Sequence, residues 1–176
     1  MPRSKGKQKG SAFERKVCKL LSLWVSHGES EDLFWRSAMS GGRATVGARQ
    51  GKNHARHAGD ISATSPEGHA LTDMWYVECK AYRDLRIDAA FIKSTGPLIR
   101  FWDVAVLEAG RYKKRPMLIA KQNQVPVIVL VPASHHPFEH SVIARFPEMG
   151  CDVLSFKRML RETFRSSAVV RRRERL

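Results

Sequence analysis

Apolar positions along the chain fall into short patterned stretches separated by polar, glycine-bearing or proline-bearing segments. Phe13, Val17, Leu20, Leu21 and Trp24 recur at steps of 4, 3, 1 and 3, which puts them on one face of a helix running to about Ser26. Ser11 followed by Glu14 has the spacing of a capping box, so the helix is expected to begin there and to end at Gly28. The aromatic segment 33–37 predicts a strand. Segments 59–63 and 75–82 flank a Pro66-Glu67-Gly68-His69 turn and predict a hairpin. Pro97 suits the first turn of a helix through about Tyr112, with Trp102, Ala105, Ala109 and Tyr112 on one side. The apolar runs 117–120 and 127–131 predict a second hairpin, buried on both faces. A loop bearing Pro132, Pro137 and Pro147 leads to a last helix over 155–165. The order α-β-β-β-α-β-β predicts an α/β domain with a mixed central sheet flanked by helices.

The length, 176 residues with 43% hydrophobic, suits one domain with a real core. Residues 1–10 are expected to form a flexible basic arm, 11–165 the domain, and 166–176 a basic tail. Segment 38–58 has four glycines among Arg and Lys with no apolar period, and is expected to be a mobile basic loop. The helix stripe is expected to face the core. The helix around Phe101 and Trp102, apolar on more than one side, is expected to bury against the sheet, with a dimer interface as the alternative.

Charge changes the picture because it is unevenly placed. The net charge is +14, yet residues 58–156 hold eleven charges of each sign. Residues 1–19, 36–57 and 157–176 carry net +6, +5 and +6. Three basic segments framing a neutral centre suit a polyanion partner better than uniform solubility charge does. No apolar run is long enough to span a bilayer, and no apolar stretch of the secretory kind follows the basic N-terminus. Three scattered cysteines without C-x-x-C spacing fit a reducing cytoplasm.

Within the neutral centre, Asp60 follows a glycine, and Glu78 and Lys80 lie two apart on one strand, hence on one face. With Glu14 from the helix, three carboxylates are expected to converge. Such a cluster calls for a hard divalent cation, and Mg²⁺ held by carboxylates, waters and phosphate oxygens answers that need. A metal of this kind activates water for phosphodiester hydrolysis, Lys80 would orient the nucleophile or offset charge at phosphorus, and the basic segments supply backbone affinity.

These residues resemble the PD-(D/E)xK nuclease superfamily. Gly59-Asp60 and Glu78-Cys79-Lys80 match its G-D…E-x-K signature, and Glu14 in Gly10-Ser11-Ala12-Phe13-Glu14-Arg15 matches its upstream helical acid. The arrangement is most similar to archaeal-type Holliday-junction resolvases and related phage-encoded nucleases, with Arg36-Ser37 and Ser40-Gly41-Gly42 matching their short strand and Gly-rich loop. The likeness covers roughly 10–131. It departs from the pattern in having His57-Ala58-Gly59, with no proline before Asp60. The resemblance implies a restriction-endonuclease-like core and an Mg²⁺-dependent DNA endonuclease, with Mn²⁺ able to substitute. It further implies selectivity for branched DNA, including four-way junctions, and action as a homodimer in a bacterial or phage-infected cytoplasm. The implied catalytic residues are Glu14, Asp60, Glu78 and Lys80, and the implied metal set is Asp60, Glu78, Cys79 and Glu14. DNA contacts are expected from Arg36, Ser37, Ser40, Arg43, Arg49, Lys52, Arg56 and His57.

Blander readings stand beside these. Glu78 and Lys80 alone could be a surface ion pair on an edge strand, but the flanking Trp75, Tyr76, Val77 and Tyr82 suggest a central strand. His135, His136 and His140, with His54 and His57, lack the spacing of a zinc site. Lys121 and Gln122 could face a phosphate. A non-catalytic nucleic-acid-binding protein with a nuclease-like fold would show the same charge pattern, whereas no RNA-module signature is present.

Overall fold

The structure, a computed structural model, describes residues 5–37, 58–134 and 136–164. Of the expected DNA contacts, Ser40, Arg43, Arg49, Lys52, Arg56 and His57 therefore lie outside the described residues, as does the 166–176 tail.

The first helix, α1 (Lys5–Val25), begins before Ser11. Lys and Gln favour helix, and the glycines at 6 and 10 cost about 1 kcal/mol each without breaking it, so 5–10 extend the helix rather than forming an arm. Phe13, Val17, Leu21 and Trp24 are buried, as the stripe requires. Ser22 donates its hydroxyl to the Cys18 carbonyl and accepts the Phe34 N–H at 3.1 Å, which docks β1 (Phe34–Arg36) on this helix.

Strand β2 (Ile61–Ala63) pairs antiparallel with β1, forming a separate two-stranded sheet. The expected hairpin between 59–63 and 75–82 does not form. A 3-10 turn (Pro66–Gly68) and a short helix α2 (His69–Thr72) intervene, and β2 finds its partner upstream. Local turn signals gave no means of choosing between those partners.

Among the described residues the main sheet has five strands, in the order β3 (Trp75–Tyr82), β4 (Arg115–Gln122), β5 (Ile128–Pro132), β7 (Cys151–Ser155), β6 (Val142–Phe146). Strand β3 (Trp75–Tyr82) runs parallel to β4 (Arg115–Gln122), with Glu78 opposite Leu118 and Lys80 opposite Ala120. The crossover carries α3 (Ile87–Lys93) and α4 (Pro97–Arg111), the latter matching the helix expected from Pro97. Strand β5 (Ile128–Pro132) completes the expected hairpin with β4. The mixed α/β class with a helix-flanked sheet thus holds, but the element order is longer. The segment expected as loop and long helix contains β6 (Val142–Phe146) and the buried β7 (Cys151–Ser155), followed among the described residues by the four-residue α5 (Phe156–Met159).

Alternation sorts the core into two layers. Val77, Cys79, Met117, Ile119, Val129 and Leu154 face the cluster containing α1 residues. Leu118, Ala120, Ile128, Leu130 and Val153 face Leu98 and Trp102 of α4. Trp102 is buried, as expected of packing against the sheet, while Val104, Val106 and Leu107 lie on the exposed side of the same helix. All three cysteines are buried free thiols. No described helix is long and apolar enough to cross a membrane.

Candidate active site

Strand β3 is an edge strand of the five-stranded sheet, contrary to the central position its apolar flanks suggested. The residues before β2 cover part of that edge. Gly59 has φ +89°, and a Cβ there would sit 2.6 Å from the Val77 carbonyl oxygen, so only glycine allows this approach. The chain then turns so that the Asp60 N–H donates to the Val77 carbonyl at 2.8 Å. Asp60 is thereby aimed along β3, and its Oδ2 accepts the Cys79 N–H at 2.8 Å. The Gly-Asp pair has a physical origin: the glycine permits contact with the strand, and the aspartate reads the next free N–H.

Asp60 is buried, at 7% exposure. Burial first, then the charge of Glu78, and further Glu14, push its carboxyl up to about 7, against the opposing Cys79 N–H and Lys80. Acids from α1, from the turn before β2 and from β3 thus act on one another. The structure brings together Glu14, Asp60, Glu78 and Lys80.

Two of the acids already have cationic partners. Arg36 on β1 donates through Nε to Glu14 Oε2, an ion pair with the side chains 28% and 15% exposed. This is where the structure places Arg36, expected as a DNA contact; the Ser37 N–H donates to the Asp60 carbonyl at 2.9 Å, which ties β1 to the site. Lys80 Nζ donates to Glu78 Oε1. Burial depresses the Lys80 ammonium, yet Glu78 and then Asp60 outweigh it, and the net shift is upward. Cys79 contributes its N–H; its thiol lies in the core and is pushed well above its ordinary value, chiefly by burial. The neighbouring Cys18 thiol is raised to about 12, by burial first and the Glu14 charge next.

Sequence reasoning passed over Tyr76. Its hydroxyl donates to Glu78 Oε2 at 3.3 Å, so the two Glu78 oxygens are held by different groups, Lys80 and Tyr76. Burial, then the Glu78 charge, push the phenol upward, keeping it a donor. The signal was available in the same-face rule, since Tyr76, Glu78, Lys80 and Tyr82 alternate along β3. Gln122 does not face the site: its Oε1 accepts the N–H groups of Leu85 at 2.9 Å and Ile87 at 3.3 Å.

Three carboxylates provide hard oxygen donors, and of these Asp60, raised first by its burial and then by Glu78, is the one without an ion-pair partner among the described residues. Hard oxygen donors of this kind suit a divalent cation of the Mg²⁺ type, although the carboxylate oxygens of Glu14, Asp60 and Glu78 do not all lie within 4.8 Å of one another, so the three would have to draw closer to share one ion. A second group of possible donors, His136, Glu139 and Asp152, is of a different kind. His136 Nδ1 accepts the Phe138 N–H at 3.2 Å, and Nε2 lies 3.0 Å from Asp152 Oδ2. Both ring nitrogens are engaged, and Arg145 pairs with Glu139 at 2.6 Å, so the group is satisfied without metal.

Among curated proteins and among solved structures, nothing matches the chain. The sequence profile of one family, described as "Phage putative PDDEXK endonuclease", matches residues 5–163. The match extends from α1 to the end of the described chain and includes Glu14, Asp60, Glu78 and Lys80, within a mixed α/β architecture of restriction-endonuclease-like type. On that coverage, the chain belongs to the phage PDDEXK endonuclease family.

Proposed function

We propose that this protein is an Mg²⁺-dependent endodeoxyribonuclease, with Mn²⁺ as a substitute, that hydrolyses phosphodiester bonds in branched DNA. The observation that carries the reading is Asp60, whose carboxyl is raised by its burial first and then by the charges of Glu78 and Glu14. A divalent cation held there lowers the pKa of its water and polarises phosphoryl oxygens. Asp60 and Glu78 would hold it, Glu14 would complete the acidic set, and Cys79 would fix Asp60 through its N–H. Lys80, already in the cluster, supplies positive charge beside the reacting phosphate or orients the attacking water. Tyr76 positions Glu78. The basic segments of the sequence supply affinity for the phosphate backbone, so binding should weaken steeply with salt.

Selectivity for four-way junctions follows from the likeness to archaeal-type resolvases. It carries with it a homodimer, since two symmetric strands must be cut, and action in a bacterial or phage-infected cytoplasm. The test compares cleavage of a four-way junction and a linear duplex with Mg²⁺, wild type beside Glu78→Ala. Junction cleavage by the wild type alone supports the full reading. Equal cleavage of both substrates removes the junction selectivity, and undiminished cleavage by Glu78→Ala removes the site.

One observation favours a second reading, a non-catalytic DNA-binding protein. Glu14 and Glu78 are already neutralised by Arg36 and Lys80, so the site closes on itself without metal. Such a protein would bind DNA but show no carboxylate-dependent Mg²⁺ affinity.

A further inference from the structure

The face of β3 that carries Glu78 and Lys80 is bracketed by aromatic pairs made with α4 and the residue after it. Before the acid, Tyr76 stacks on Tyr112 with ring centres 6.2 Å apart and planes 11° from parallel. That pair is enclosed, Tyr76 being only 8% exposed. After the lysine, Tyr82 stacks on Phe101 at 5.3 Å and 27°. This second pair is open, since Tyr82 is 49% exposed. Lys80 links it to the acidic cluster: its Nζ lies 5.4 Å from the Phe101 ring centre while bonding Glu78.

The two pairs differ in what the fold needs from them. Tyr76 aims a hydroxyl at Glu78 and belongs to the site's support. The Tyr82 hydroxyl makes no hydrogen bond among the described residues, and its ring stays half open to water while stacked on Phe101. Holding an aromatic ring rigid and exposed costs hydrophobic stabilisation that an inward residue would gain. The sequence neighbours Arg83 and Arg100 are exposed cations next to Tyr82 and Phe101, so the platform is set among groups that attract phosphate. A rigid aromatic surface beside cations is the chemistry that receives an unstacked base, whatever its identity. A base within a continuous duplex offers only its edge, and its π-face is covered by neighbours.

We propose that Tyr82, backed by Phe101, is a stacking platform for an unpaired nucleobase next to the phosphate held at Glu78 and Lys80. The inference rests on the nuclease reading above and deepens it: the preferred substrates are DNAs that present an unpaired nucleotide beside the cleaved bond. Tyr82 is a specificity residue, and the chemistry stays with the acids and Lys80.

The test uses the full chain and two DNA substrates, a fully base-paired four-way junction and a duplex with a single bulged 2-aminopurine next to the cleaved bond. In EDTA, without cleavage, wild type and Tyr82→Phe should quench the bulged 2-aminopurine, and Tyr82→Ala should not. With Mg²⁺, Tyr82→Ala should lose about fivefold to a hundredfold in cleavage of the bulged duplex, the range of one base–aromatic stack. Its cleavage of the fully base-paired junction should stay within about twofold. Tyr82→Leu, which keeps apolar contact with Phe101 but removes the ring, should behave as Tyr82→Ala and guards against misfolding of the smaller variant. Unchanged quenching in Tyr82→Ala and Tyr82→Leu overturns the platform, as does an equal loss on the bulged duplex and the junction. Failure of the nuclease reading looks different: the wild type cleaves neither the junction nor the bulged duplex, while the quenching in EDTA still decides the platform.

Discussion

Two buried carboxylates sit in this fold under opposite conditions. Asp152, on the inner strand β7, is 1% exposed and faces its cross-strand neighbour Arg145, with His136 at 3.0 Å from its Oδ2. Asp60 is nearly as buried, but among the described residues its carboxylate accepts one backbone N–H, and two further acids act on it against the single charge of Lys80. The fold surrounds Asp152 with its own donors and leaves Asp60 short of positive charge. A buried acid that the fold satisfies is architecture, and one that the fold frustrates is a place for an external cation.

The comparison breaks most sharply on cleavage. Replacing Asp60 or Glu78 by Ala should lower single-turnover cleavage by about 10³-fold or more, since a lost metal site removes several kcal/mol of transition-state stabilisation. Asp152→Ala should leave cleavage by the folded protein within about threefold. Equal losses in both would mean that the distinction between the two carboxylates is false.

Stability should respond in the reverse sense. Asp152→Ala leaves His136 buried without its partner and should cost about 2–4 kcal/mol in urea unfolding at pH 7.5. Asp60→Asn should instead stabilise the metal-free protein. The sign follows from a folded pKa of about 7 against the ordinary aspartate value of 3.8: the native state binds the extra proton, so stability falls as pH rises from about 4 through 7. Above pH 7 the penalty is fully present, and the neutral amide should remove about 1–3 kcal/mol of it. Unfolding midpoints of wild type and Asp60→Asn should therefore coincide near pH 4 and separate at pH 8, and a gap that is constant with pH would contradict the origin given for it.

The smallest effect concerns support. Tyr76→Phe keeps the stack on Tyr112 and removes only the hydrogen bond to Glu78, so kcat should fall about twofold to tenfold with the fold unchanged. A loss as large as that of Glu78→Ala would make Tyr76 part of the chemistry.

What the sequence disclosed depended on how local the signal was. The α1 stripe, the 117–131 hairpin and the Gly-Asp and Glu-x-Lys pairs all lie within a few residues of their own evidence. The Glu14–Arg36 pair spans 22 residues and has no local trace. Strand β2 shows ordinary hairpin signals towards β3 and pairs instead with β1, because docking of Phe34 on Ser22 makes β1 available. Strand β7 was hidden by Asp152, a charge in an otherwise apolar run, whose partners His136 and Arg145 come from elsewhere in the chain. Strand β6 is short, bulged between Val142 and Ala144, and followed at once by Pro147, which read as loop. The edge position of β3 was equally invisible, since the chain before β2 and the face of α4 bury its side chains as a neighbouring strand would.

The most direct test of the central claim is calorimetric titration of Mg²⁺ into the DNA-free wild type, Asp60→Asn and Asp152→Asn at pH 6 and pH 8. The account predicts wild-type binding that strengthens from pH 6 to pH 8, as Asp60 loses its proton, the same behaviour in Asp152→Asn, and none in Asp60→Asn. Binding that survives in Asp60→Asn, or that is lost only in Asp152→Asn, would contradict it.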